Sequence, residues 1–152
     1  MVLGMVRAAV RAAFVLLLSL AAGTAAMAAP GATGIWLTEG GEAQVEIVEC
    51  GVWLCGRIIA LNEPNDEQGR PKLDNRNPDA AQHGRPVIGL QILSGFVPAS
   101  DGGWEGGTIY DPEGGKTYKS TLTLQGEDIL RVRGYVGLPL FGRTEVWTRR
   151  KP

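Results

Sequence analysis

The sequence predicts an all-β protein, a small antiparallel up-and-down β-barrel of about eight strands. Three observations lead there. Short stretches of alternating apolar and polar side chains recur along the chain, the period-two signature of half-buried strands. Turn residues separate them, drawn from the chain's 22 glycines and 9 prolines, at the spacing expected of hairpins. No convincing amphipathic helix follows residue 28, and most connections are short enough to join neighbouring strands. A sandwich would satisfy the same spacing; the barrel is preferred because closure removes exposed sheet edges.

The chain starts with a segment that is not fold. Arg7 and Arg11 give a positive start, residues 12–22 are apolar except for Ser19, and Ala26-Met27-Ala28 fits a small-residue cleavage site. The expectation is a signal peptide over residues 1–28. The alternative is an uncleaved anchor, although the apolar run is short for spanning a bilayer. Residues 29–152 would then form one barrel domain, periplasmic or secreted. Without Arg7 and Arg11, the 15 basic residues fall to 13 against 16 acidic ones, a net charge near −3. No basic stripe remains to hold a phosphate backbone, so no nucleic-acid partner is expected. No later apolar run is long enough for a transmembrane segment after cleavage.

Residues 34–38 read as the first strand, ended by Gly40-Gly41. Residues 43–50 alternate cleanly, with Val45 and Ile47 against Gln44 and Glu46, and 53–61 return across a corner as a hairpin. Residues 62–86 break the pattern with prolines, Asx residues and the chain's one histidine, His83. A loop of this length inside a small domain is uncommon and often functional or mobile. Residues 87–96 resume as a strand, with a short helix as the alternative, because the run is apolar almost throughout. Residues 104–110 and 116–125 form a glycine-rich hairpin, in which Gly106 and Gly107 signal a bulge or a close approach. Residues 129–136 and 143–149 complete the set.

Cys50 and Cys55 flank the corner of the first hairpin. In an exported protein such a pair reads as a disulfide that pins a turn. Free thiols and a redox pair are the alternatives. The redox reading lacks C-x-x-C spacing and a helix N-terminus to lower a thiol pKa.

Gly34-x-Trp36, Leu54-Cys55-Gly56-Arg57, Asn77-Pro78-Asp79, Trp104-x-Gly106-Gly107-x-Ile109-Tyr110-Asp111-Pro112, Gly115-Lys116-Thr117-Tyr118, Arg133-Gly134-Tyr135 and Trp147-x-Arg149 occur together along the chain. With these motifs it resembles the exported bacterial proteins grouped as domain of unknown function family 2147, over essentially all of the part after the leader. The resemblance implies a periplasmic or secreted lipocalin-like barrel and brings no settled activity. Residues 80–84, Ala-Ala-Gln-His-Gly, depart from the more basic and aliphatic connection usual in that family. Gly34-x-Trp36 and an arginine in the last strand are also similar to the wider lipocalin pattern. There the indole plugs one end of the barrel and the guanidinium lies over it. Trp36 and Arg149 are the structural candidates, since an indole face attracts a guanidinium.

Chemistry is thin. His83 has no nucleophile elbow nearby and reads as an exposed loop residue. No phosphate-binding glycine motif is present, and Gly114-Gly115-Lys116-Thr117 reads as a turn. Asp66, Asp74, Asn75 and Asp79 lack the spacing of a calcium loop and read as Asx turns, so neither a metal nor a cofactor is expected. No catalytic residue is assigned. The ligand-binding candidates are Trp104, Tyr110, Tyr118, Arg133, Tyr135 and Arg143, aromatic and basic groups on strands and beside glycines. Pointing inward, they would line a mouth for a small apolar or amphiphilic ligand with an acidic end. Against this stands a filled barrel, because small eight-stranded barrels often hold only side chains. In that case the protein would be a structural or envelope-interaction protein acting through residues 62–86. Asp74, Asn77, Asp79 and Arg85 are the candidates in that loop. A hydrolase or isomerase using its carboxylates is the third reading.

Overall fold

The computed structural model describes residues 31–151. The leader expected over residues 1–28 lies outside them. Eight strands, β1 (Gly34–Leu37), β2 (Ala43–Cys50), β3 (Trp53–Leu61), β4 (Gln91–Pro98), β5 (Trp104–Asp111), β6 (Lys116–Gln125), β7 (Ile129–Tyr135) and β8 (Arg143–Arg149), pair in sequence order. All pairings are antiparallel, and β8 returns to β1 to close the barrel. No helix among the described residues is long and apolar enough to cross a membrane.

Alternation places the core. Val45, Ile47, Ile58, Leu93, Phe96, Leu122, Leu130, Val132 and Trp147 are buried, while their strand neighbours Glu46, Arg57, Lys119 and Arg131 point outward. Register ties the inner face together: Leu54 sits opposite Phe96, Leu122 opposite Val132, and Leu130 opposite Trp147. Gly107 is required where it stands, because a Cβ there would meet the Phe96 ring at about 2.5 Å. That packing explains the glycines of the 104–110 stretch better than a ligand does. Gly106, at φ 73°, supplies the irregularity in the register between β5 and β6.

The fourth strand differs from the sequence reading. Pairing starts at Gln91, not Val87. Residues 87–90 form a turn in which the Gly89 N–H donates to the Ile58 carbonyl and Ile58 N–H to that of Leu90. Val87 and Leu90 are still buried. Their side chains serve the core while Gly89, at φ 93°, breaks the extended backbone. Apolar content there marks burial and not extended backbone.

Strict up-and-down connectivity sorts the connections into two ends. The closed end carries the chain start, the β2–β3, β4–β5 and β6–β7 turns and the C-terminus. The other end carries the β1–β2 turn, the long 62–90 loop, the β5–β6 turn and the 136–142 loop.

Candidate functional site

At the closed end, the Arg149 guanidinium lies 4.2 Å over the Trp36 ring centroid. Trp36 is fully buried and its indole N–H donates to the Ala32 carbonyl at 2.8 Å. Arg149 donates to the carbonyls of Glu127, Thr33 and Gly31 at 2.6, 2.7 and 2.9 Å. One side chain thus ties the entering chain and the β6–β7 turn over the indole, using the planar fork that lysine lacks. Cys50 and Cys55 are disulfide-bonded at the same end, Cα to Cα 5.8 Å, across the β2–β3 corner.

The opposite end is open. A cavity of about 1900 Å³ opens there, and its floor reaches the half-buried Ile109 and the buried Ile58, Ile92, Val132 and Trp147. It exceeds the roughly 300–1,000 Å³ of a usual small-molecule site, because it continues under the 62–90 loop, past Arg70, Lys72 and Arg76. Of the six ligand-binding candidates, Tyr118 and Arg143 border this space from inner strand positions, and Tyr110 and Tyr135 touch it only at the rim, Tyr135 sharing the outward parity of Arg133. Trp104 does not: it pairs with Pro98 and Leu122 toward the closed end and packs against the core. Arg133 does not either. It points outward from β7 and donates to the carbonyls of Pro139 and Leu140 and to the Thr144 hydroxyl. The parity of β7 decides this, since Leu130 and Val132 take the inner positions.

The long loop is held by a single carboxylate. Asp74 is fully buried. Tyr110 donates its hydroxyl to Asp74 Oδ1 at 2.5 Å, and Asn77 Nδ2 donates to Oδ2 at 2.8 Å. Arg85 donates Nε and Nη2 to the same Oδ2 at 2.9 and 2.8 Å. Asn77 Nδ2 also reaches the Tyr110 oxygen at 3.1 Å, and the Asp74 backbone N–H donates to the Arg85 carbonyl. Burial pushes the Asp74 carboxyl up, but the hydrogen bonds from Tyr110, Asn77 and Arg85 outweigh it and hold the group below its ordinary value. Burial and the facing Asp74 carboxylate raise the Tyr110 phenol. Asp74, Asn77 and Arg85 are therefore brought together with Tyr110, a link across 36 residues of sequence. The Asp79 side chain is not part of the pin: it caps a short 3-10 turn over Ala80–Gln82 through Ala81 N–H, while its backbone N–H donates to Asn77 Oδ1 at 2.9 Å. His83, read from sequence as exposed, is half-buried and its Nε2 lies 2.7 Å from the Asn77 carbonyl.

Asp66, Asp74 and Asp79 are spent on local turns and on this pin. Asp66 accepts from the backbone of Gln68 and Arg70, and no group of acidic, histidine or cysteine side chains among the described residues could hold a metal. The space is lined by the carboxylates of Glu39, Glu42, Glu63, Asp66, Asp111, Glu113 and Glu145 and by the cations of Arg70, Lys72, Arg76 and Arg143. An acidic ligand end is thus not favoured by the lining as a whole. The sequence reading also missed the 136–142 loop, whose Val136, Leu138, Leu140 and Phe141 are exposed. Its signal was present as an apolar run bounded by Gly134 and Gly142 with no polar partner.

The described barrel is similar to a solved structure, protein HP1028 from the human pathogen Helicobacter pylori, described as belonging to the lipocalin family. The TM-score is 0.69 at 23% identity, covering 80% of this chain and 84% of that one, a likeness that shows the fold. No curated protein matches the chain. A family model described as "uncharacterized protein conserved in bacteria (DUF2147)" matches residues 34–149. That match runs from the start of β1 to the end of β8. With its closed eight-stranded barrel, the chain belongs to this family of lipocalin-like bacterial proteins of unknown function.

Proposed function

We propose that this protein is an exported binding module that holds a small, partly apolar ligand in the open end of its barrel. The observation that carries this reading is the cavity of about 1900 Å³, which reaches Ile109. Ile58, Ile92, Val132 and Trp147 are buried at its floor, and its rim extends past Arg70, Lys72 and Arg76. Apolar depth with a few convergent polar groups is the usual makeup of a small-molecule site. Tyr118 supplies a hydroxyl near the mouth, and Arg143 with Glu145 supplies opposite charges on one strand. This pattern suits an amphiphile with a polar or zwitterionic head better than a simple acid. Export is supported by the leader's composition and by the Cys50–Cys55 disulfide, which fits an oxidising compartment.

The test is mass spectrometry of organic extracts from protein purified natively from its own envelope fraction. A stoichiometric amphiphile, absent when Ile109→Trp narrows the cavity in a folded variant, is the expected result. Extracts without any such molecule, from protein that also fails to take up amphiphilic fluorescent probes, would remove the carrier reading.

A further inference from the structure

Building on the carrier reading, we propose that the cavity takes an amphiphile whose head carries an ammonium group, and that Glu145 selects that charge. Glu145 holds an inner position of β8, opposite the buried Val132 in register and two residues from the buried Trp147. It is half-buried and lines the cavity one step nearer the mouth than that apolar floor. Its Oε2 accepts from the Trp147 indole N–H at 2.9 Å, which sets the carboxylate against the wall. None of the ion pairs among the described residues involves Glu145. A carboxylate turned toward apolar side chains is costly unless a cation or several donors meet it. Glu145 has one donor.

The surroundings carry the same sign. Glu39 reaches β8 from the β1–β2 turn and accepts from the Val146 N–H at 2.8 Å, just beyond the point where β1 stops pairing with β8. It too lines the cavity and belongs to no ion pair among the described residues. Of the other lining charges, Asp66 pairs with Arg70 and Glu63 with Lys72. The carboxylates that remain outnumber the remaining cations, Arg76 and Arg143.

Arg143 is the competing anchor, and its position decides against it. It lies two residues nearer the mouth than Glu145 and is exposed, so water screens any charge it meets. Glu145 acts closer to the floor, where the lower dielectric strengthens a charge pair. A further polar group on the inner wall lacks a partner. Ser120 lies two residues deeper than Tyr118 on β6, is fully buried, and its hydroxyl makes no hydrogen bond. Its register neighbour is Gly134, which lines the cavity and has no side chain to offer it. A buried polar group without a partner calls for an explanation. The hydroxyl suits a head of either sign, since it both donates and accepts; the carboxylate suits only one. An apolar tail on the floor and an ammonium at Glu145 fit this gradient from apolar depth to acidic rim.

The experiment is calorimetric titration of natively purified, delipidated protein with decylammonium, decanol and decanoate, at neutral pH and low salt. The three probes share a chain and differ in the head. Decylammonium should bind about tenfold more tightly than decanol, the factor expected of one charge-assisted hydrogen bond. Decanoate should bind more weakly than either. Glu145→Gln keeps an acceptor for the Trp147 indole, so its melting temperature should match wild type while the preference for decylammonium over decanol disappears. Arg143→Gln should enlarge that preference by removing a repelling charge, and added salt should reduce it. Decanoate binding as tightly as decylammonium, or a preference that survives Glu145→Gln, would overturn the proposal and leave the carrier reading in place. Failure of all three probes to bind would remove the carrier reading and this proposal together.

Discussion

The two ends of the barrel solve the same problem in opposite ways. At the closed end, short turns meet over a single indole, and Arg149 satisfies three carbonyls while stacking on Trp36. At the mouth, one long loop is held by a buried carboxylate that gathers Tyr110, Asn77 and Arg85. The first is mostly apolar burial with a cation laid over it; the second is a polar network whose strength depends on ionisation. The difference separates an end held by burial from an end whose loop is held by one ionised carboxylate. Burial of a tryptophan persists at any pH, whereas a network around one carboxylate can be released by a proton or by local unfolding.

The comparison is most sharply tested by breaking each end in turn. Trp36→Ala should have the largest effect, a loss of about 3–5 kcal/mol, because it empties the plug and strands Arg149. Denaturant unfolding would measure it, and the change should be global. A loss below about 1 kcal/mol would mean that the closed end is not held by the indole.

Asp74→Asn comes next, at about 2–3 kcal/mol, since Arg85 and Tyr110 lose a charged acceptor in a buried place. Arg85 is 41% exposed, so solvent recovers part of its share and the loss stays below that of a fully buried pair. Hydrogen exchange should show the opening confined to residues 62–90, with the closed end still protected. The pH dependence follows from the direction of the Asp74 shift. Its folded carboxyl lies below the ordinary value of 3.8. Its stabilisation is therefore full above that value and lost as pH falls through the lower folded one. Wild type should lose loop protection in acid, below about pH 4, and Asp74→Asn should show a flatter profile there. Identical acid profiles for the two proteins would dissociate the loop from this carboxylate.

The smallest effects come from a pair of glycines in the barrel wall, both opposite Ser120 in register. Gly107→Ala should cost about 1–3 kcal/mol, because its methyl would enter the Phe96 ring. Gly134→Ala would meet Ile109 and Tyr118 at 3.5 and 3.6 Å, ordinary contact, and should change the melting midpoint little. Equal costs would show that curvature, rather than the Phe96 ring, sets the need for glycine.

Much of the fold was legible before any coordinates. Seven of the eight strands fall close to where alternation puts them, because a two-residue period with turn residues between leaves few other readings. β4 was misplaced at its start because 87–90 is apolar for packing while its backbone turns, and composition does not distinguish the two. The site was less legible. Tyr118 and Arg143 border the cavity, while Trp104 and Arg133, equally aromatic or basic on paper, are turned to the core and to the outside. For Trp104 the register shift between β5 and β6 obscures the face, so alternation alone does not place it.

By itself, the sequence determined the strand periodicity, the placing of Cys50 and Cys55 at one corner, and the chemistry on offer: one histidine, no phosphate loop, no metal spacing. These are local properties, set by neighbours a few residues away. Only the tertiary structure decided that Asp74 would be buried against Tyr110, that the mouth would stay open, and that Val136 to Phe141 would stand in water beside it. Those outcomes depend on barrel closure, which brings together groups far apart in the chain and sets which face of each strand is inside.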